Sequence, residues 1–191
     1  TNTLGGVTSV EAKGTTGARG IDADTNSKNT VAMTGSLSAS SATQGDAYAV
    51  RSNENSTNTV TGTKDIDVAT AQGNAYGIDA VNDSTNNVNK DVTTGLGSLT
   101  VSTAGDNNNP GGAAYGINAD ATGGTATTAN YVGGLTTVSV TALAAEARGI
   151  NATGGNSATH KSVNEVNMTG ALTVTAKDDG WGDSGNAYGV N

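Results

Sequence analysis

The stretch AYGIDA, residues 75–80, returns along the whole chain with small changes. It reads ARGIDA from Ala18, AYAVRS from Ala47, AYGINA from Ala114, ARGINA from Ala147 and AYGVN from Ala187. Starts at 18, 47, 75, 114, 147 and 187 lie 29, 28, 39, 33 and 40 residues apart, a period that belongs to repeat architectures. Two further segments accompany each copy in a constant order. Segment a reads Asn2-Thr3-Leu4, Asn29-Thr30-Val31, Asn58-Thr59-Val60, Asn87-Val88, Asn130-Tyr131-Val132 and Ser162-Val163-Asn164. Segment b reads SVEA from Ser9, SLSAS from Ser36, DIDVAT from Asp65, SLTVST from Ser98, TVSVTA from Thr137 and ALTVTA from Ala171. The hexapeptide is segment c.

Segment b alternates apolar with hydroxyl or acidic residues, the period of a strand. Leu37/Ala39, Ile66/Val68, Leu99/Val101, Val138/Val140 and Leu172/Val174 fall on one side. No helical period competes, and most of the larger apolar residues are β-branched. Insertions collect at the joints, as in AGDNNNPGG from Ala104 and KDDGWGDSG from Lys177, which are rich in turn residues. Strands that keep their pattern while loops swell predict an all-β parallel solenoid of about six turns with three short strands each. The expected turns are 1–28, 29–57, 58–86, 87–129, 130–161 and 162–191, in a single solenoid domain. At about 4.8 Å per turn, six turns make a rod about 29 Å long.

This architecture reconciles the composition with folding. The chain of 191 residues has 28 glycines, no Phe, no Cys, and only 34% hydrophobic residues. A globular core of Leu and Phe is out of reach, and disorder would leave no regular apolar pattern. A thin column of small side chains, buried by stacking turn on turn, is within reach. The net charge of −8 argues against nucleic-acid binding, which needs a basic footprint. The absence of cysteine excludes disulfides and thiolate metal sites. No stretch has the apolar length of a membrane-spanning helix.

Stacking turns hexapeptide positions into ladders. Position two gives Arg19, Tyr48, Tyr76, Tyr115, Arg148 and Tyr188; position five gives Asp22, Arg51, Asp79, Asn118, Asn151 and Asn191. Each contains arginine, which an apolar column excludes, so both are expected to face outward. Being three apart, they need one slip in the alternation, expected at position three, which is Gly in five copies and Ala49 in the other. Positions four and six are then expected to point inward. The tyrosines are expected to form an external stacking ladder. An aromatic strip that grips sugars is the alternative, with Tyr48, Tyr76, Tyr115 and Tyr188 as contacts.

Catalytic chemistry finds little support. His160 is the single histidine, so a Ser-His-Asp triad or a multi-histidine metal site is not expected, and His160 reads as an exposed loop residue. A glycosidase needs two carboxylates across a substrate, whereas Asp65 and Asp67 read as solvated groups on an outward strand side. Asp178, Asp179 and Asp183 in the loop DDGWGD are a weak calcium candidate that matches no established loop spacing; no other cofactor is expected. Trp181 in that loop is the leading single candidate for a partner contact. The hydroxyl pairs Thr100/Ser102, Ser139/Thr141 and Thr173/Thr175 would suit ice binding, but Glu11 and Asp67 interrupt the array.

The a-b-c pattern, with lines such as GSLTVSTAG and GNAYGIDA, resembles the β-helical passenger domains of bacterial autotransporters and related large surface adhesins. The resemblance implies a right-handed parallel β-helix at the bacterial cell surface or outside the cell, acting in adhesion or cell–cell association without catalysis. Its implied partners are a receptor or glycan on a host or bacterial surface, and it carries no catalytic residue onto this chain. The chain opens inside segment a and closes inside segment c without a polar cap, and solenoid ends are exposed strand edges. Neighbours are therefore expected end to end, as further turns of a longer chain or as other copies in a filament. Ice binding and polysaccharide binding or processing are more distant alternatives.

Overall fold

A computed structural model describes residues 1–90, 97–105, 111–154, 160–177 and 185–191. Turn one holds β1 (Asn2–Val7), β2 (Val10–Gly14) and β3 (Ala18–Ala23). Turn two holds β4 (Lys28–Met33), β5 (Leu37–Ser41) and β6 (Ala47–Ser52). Turn three holds β7 (Thr57–Thr61), β8 (Ile66–Thr70) and β9 (Ala75–Val81). Turn four holds β10 (Thr85–Val88), β11 (Ser98–Thr103) and β12 (Ala114–Asp120). Turn five holds β13 (Thr128–Leu135), β14 (Thr137–Leu143) and β15 (Ala147–Thr153). Turn six holds β16 (Ser162–Met168), β17 (Leu172–Lys177) and β18 (Ala187–Val190).

The strands form three parallel sheets of six, and each strand pairs with its equivalent in every adjacent turn. The expected parallel β-helix with three strands per turn is thus the fold. The side-a strands of turns two to six begin at Lys28, Thr57, Thr85, Thr128 and Ser162.

Register follows the sequence pattern on side b. Val10, Leu37, Ile66, Leu99, Val138 and Leu172 form one rung series, and Ala12, Ala39, Val68, Val101, Val140 and Val174 the next. With Val31, Val60, Val88 and Val132 from side a and Val50, Ile78 and Ile117 from side c, they line one continuous apolar column. On side a the sixth copy differs from expectation. Asn164-Glu165-Val166, rather than Ser162-Val163-Asn164, pairs with Asn130-Tyr131-Val132. The rung is set by asparagine on asparagine, two residues later than the Ser-Val match suggests.

Side c carries the expected slip. Ladder partners run from position two to position four and skip position three. Glycine is there for space: a Cβ on Gly77 would stand 2.7 Å from Leu99 Cδ1 and 2.5 Å from the Gly116 carbonyl oxygen. At the a-to-b corner Gly62 answers a different demand, with φ +74° and the Met33 carbonyl oxygen 2.0 Å from any added Cβ.

The c-to-a corners of the first three turns share one conformation. Thr25-Asn26, Glu54-Asn55 and Asn82-Asp83 are consecutive residues with φ between 47° and 62°. Asparagine and aspartate tolerate this left-handed region better than most residues, which accounts for their density here. The corners also stack, since Asn26 N donates to Glu54 O and Asn55 N to Asn82 O. The corner after β12 is longer, and Asp83 anchors it by accepting from the Thr125 and Ala126 amides. Burial alone would raise the Asp83 pKa, but these bonds overcome it and hold the carboxyl below its usual range.

Candidate functional site

Inside the c-to-a corner runs a ladder of asparagines: Asn2, Asn29, Asn58, Asn86, Asn130 and Asn164. From Asn2 to Asn130 each Nδ2 donates to the Oδ1 one turn on, at 2.9–3.1 Å. From Asn29 onward the second Nδ2 proton goes to the position-five carbonyl of the preceding c strand, as from Asn86 to Asp79 O at 2.6 Å. Asn58, Asn86 and Asn130 are fully buried. The corner lengthens from a separation of 7 residues to 12 and 13 in the last two turns, yet this clamp is unchanged. The ladder is the device that closes each turn.

Outside the same strands stands the expected tyrosine column. Tyr48 and Tyr76 stack with centroids 4.7 Å apart and planes 4° off parallel; Tyr76 and Tyr115 follow at 4.8 Å and 3°. The spacing is that of parallel strands, so the rings are stacked by the backbone repeat itself. Above Tyr115 the Arg148 guanidinium sits between two rings, 5.7 Å from the Tyr115 centroid and 5.4 Å from that of Tyr188. Glu146 orients it, accepting from Nε and Nη2 at 3.2 and 2.8 Å. Burial raises the phenol pKa of Tyr48, Tyr76 and Tyr115, so these three hydroxyls stay protonated at physiological pH.

Position five corrects an expectation. It lies on the same side as position two, since Arg19 donates to Asp22 and Arg148 to Asn151. Yet Asp79, Asn118 and Asn151 are only 3%, 7% and 2% exposed. Large neighbours at position two roof this ladder and exclude the water that an outward position would otherwise meet. Its upper part is an amide ladder, with Asn118 donating to Asp79, Asn151 to Asn118 and Asn191 to Asn151 at 2.8, 2.6 and 3.0 Å.

Its lower part is charged and loosely paired. Arg51 Nη1 is 3.7 Å from Asp22 Oδ1, and Arg51 Nε is 4.0 Å from Asp79 Oδ2. Asp22 Oδ1 and Arg51 Nε lack a hydrogen-bond partner. Arg51 instead lies against Tyr48, 5.1 Å from the ring centroid. Burial pushes the Asp79 pKa up to about 7, against the pull of the Asn118 bond and the Arg51 charge.

The remaining candidates do not gather into a site. Asp65 spends Oδ1 on the Ser98 amide and hydroxyl, a corner brace. Asp67 is a rung between Ser38 and Thr100 on the outward side of b. His160 is half-buried rather than exposed, and lies outside the strands. Trp181, Asp178, Asp179 and Asp183 lie outside the described residues, where the calcium and Trp contact expectations therefore remain. Among the described residues no three His, Cys, Asp or Glu side chains are grouped to hold a metal.

Sequence reasoning missed the asparagine clamp, although its signal was present as one Asn recurring in or beside every copy of segment a, Asn86 standing just before Asn87-Val88 and Asn164 closing the last copy. No protein-family model, curated protein or solved structure matches the chain.

Proposed function

We propose that this chain is an extracellular structural and adhesive segment of a bacterial surface β-solenoid, mediating adhesion or cell–cell association without catalysis. The observation that carries the reading is the tyrosine and arginine column along side c. A rod braced by ladders inside and outside presents a fixed row of aromatic edges and cations, groups enriched where proteins meet partners. Rigidity limits the ordering entropy that contact with a surface costs. The net charge of −8 and the residue chemistry fit a receptor or glycan better than a nucleic acid.

The test is retention of microbeads coated with the chain on bacterial and host-cell layers under flow. Retention above beads bearing the heat-unfolded chain supports adhesion; equal retention overturns it.

A second reading is a filament of copies stacked end to end. Leu4 in the first turn and Val190 in the last are 54% and 74% exposed, and a further turn, of this chain or of another copy, covers either. Negative-stain electron microscopy separates the readings: uniform rods many turns long favour assembly, and dispersed short particles exclude it.

A further inference from the structure

The three stacked tyrosines are capped at both ends by arginine. Arg148 Cζ stands 5.7 Å from the centroid of Tyr115, and Arg51 Cζ stands 5.1 Å from that of Tyr48, over the face that Tyr76 leaves free. The two caps are held differently. Arg148 donates to Glu146 at 2.8 and 3.2 Å and to Asn151 at 2.9 Å. Arg51 Nε lacks a hydrogen-bond partner, and its two carboxylates stand off at 3.7 and 4.0 Å, beyond direct bonding.

Those carboxylates pull in opposite directions along the rod. Asp22 is the rung one turn below Arg51, and Asp79 is the rung one turn above. The guanidinium lies on the lower side, because Tyr76 occupies the upper face of Tyr48. Bonding Nε to Asp79 Oδ2 therefore draws it toward turn three and off the ring. Arg51 has a turn on either side of it, so both of its rung partners are in place.

Asp79 is poised between two states. Burial favours its protonated form, and the charges of Asp120 on β12 and Asp22 on β3 act in the same sense. The Asn118 bond at 2.8 Å and the Arg51 charge favour the ionised form. Tyr48 on β6 and Tyr76 on β9 are phenols that burial keeps neutral, and Asn86 of β10 reaches only the Asp79 backbone carbonyl.

We infer that Asp79 and Arg51 form a pH-operated latch on the tyrosine column. With Asp79 protonated, the guanidinium stays on the Asp22 side and caps Tyr48. With Asp79 ionised, it bonds to Asp79 and uncovers the ring. The latch regulates the surface of the adhesive reading and rests on that reading for its purpose. A column capped at both ends is the more rigid form, and rigidity lowers the ordering entropy of contact, so adhesion is strongest on the acid side.

The test is NMR of the isotope-labelled chain, titrated across neutrality. Arg51 Hδ protons over the Tyr48 face are shifted upfield by the ring. They are expected to lose that shift as pH rises, with the midpoint of the Asp79 carboxyl, about 7. Arg148 is the internal control and is expected to keep its ring shift throughout. Asp79→Asn cannot ionise and is expected to hold Arg51 on Tyr48 at every pH. An Arg51 shift that stays constant in the parent, or that is lost in Asp79→Asn as well, overturns the latch. Bead retention at about pH 5 and about pH 9, either side of the midpoint, keeps the two claims apart. The parent is expected to lose retention between them and Asp79→Asn to keep it; the same profile in both chains overturns the regulation. Retention without movement of Arg51 sinks the latch and leaves adhesion standing. Movement of Arg51 without retention at either pH sinks adhesion and leaves the latch standing.

Discussion

Two ladders run along the same corner of this rod, one inside and one outside, and they are built differently. The inner one repeats a single residue, Asn, on six rungs, and each amide donates upward while accepting from below. The outer one at position five mixes Asp22, Arg51 and Asp79 with Asn118, Asn151 and Asn191. Amides carry donor and acceptor together, so a uniform ladder satisfies itself at strand spacing. Charges do not: in the mixed half, Asp22 Oδ1 and Arg51 Nε are left without partners and Asp79 is held partly protonated near neutrality. Uniformity satisfies the amides of the inner stack, and variety on the outer ladder leaves polar atoms there unpaired.

The largest effect is expected from breaking the inner ladder. Asn86→Ala removes the bonds to Asp79 O and Asn130 Oδ1 and leaves buried carbonyls without a donor. Denaturant unfolding should show a loss of about 2–4 kcal/mol. A loss below about 0.5 kcal/mol would contradict a structural role for the clamp.

Sharpening the outer ladder should act in the other direction. Asp79→Asn extends the amide run of Asn118, Asn151 and Asn191 by one rung. An unfolded aspartate titrates near pH 4, whereas the folded Asp79 titrates at about 7. Between these values the folded chain holds a proton that the unfolded chain has released, so stability falls as pH rises from about 4 to about 7 and then levels off. Asp79→Asn is therefore expected to add about 1–3 kcal/mol at pH 8, reduced by the Arg51 partner it removes, and nothing at pH 3. Parallel pH profiles of the parent and the variant would disprove the assignment.

Smaller effects belong to the column above that ladder. Tyr76→Leu keeps an apolar side chain but ends the stack between Tyr48 and Tyr115, and thermal unfolding should register about 0.5–1.5 kcal/mol. The smallest is on side b, where hydroxyl rungs face water and touch no ladder of their own. Thr100→Ser should change stability by less than about 0.5 kcal/mol. A thermal hysteresis measurement on the parent should show no effect; a clear one would revive ice binding by the Thr100, Ser139 and Thr173 row.

These ladders also mark where sequence reading succeeds. Side b was legible because alternation of Leu or Val with Thr or Ser encodes both strand and facing, and the b rungs pair as their spacing implies. The tyrosine column was legible because the hexapeptide repeats keep one register. The inner asparagines were not, since an amide at an inward position breaks the apolar pattern used to find inward positions. Only its recurrence betrays it, and that same recurrence places Asn164 rather than Ser162 at the head of the last copy. Burial of Asp79 was hidden for another reason: it depends on the roof formed by side chains from neighbouring turns, which exists only once the turns are stacked.

Each of these ladders depends on six turns stacked in one register. Side b supplies a ruler, because Glu11 and Thr173 are rungs of one series that runs through Ser38, Asp67, Thr100 and Ser139. The chain has no cysteine, so Glu11→Cys with Thr173→Cys places two spin labels uniquely. Pulsed electron–electron resonance should give one narrow distance near 24 Å, five rungs at about 4.8 Å, broadened only by the reach of the labels. A distribution spread over tens of ångströms, or centred beyond about 40 Å, would mean that the turns do not stack as described.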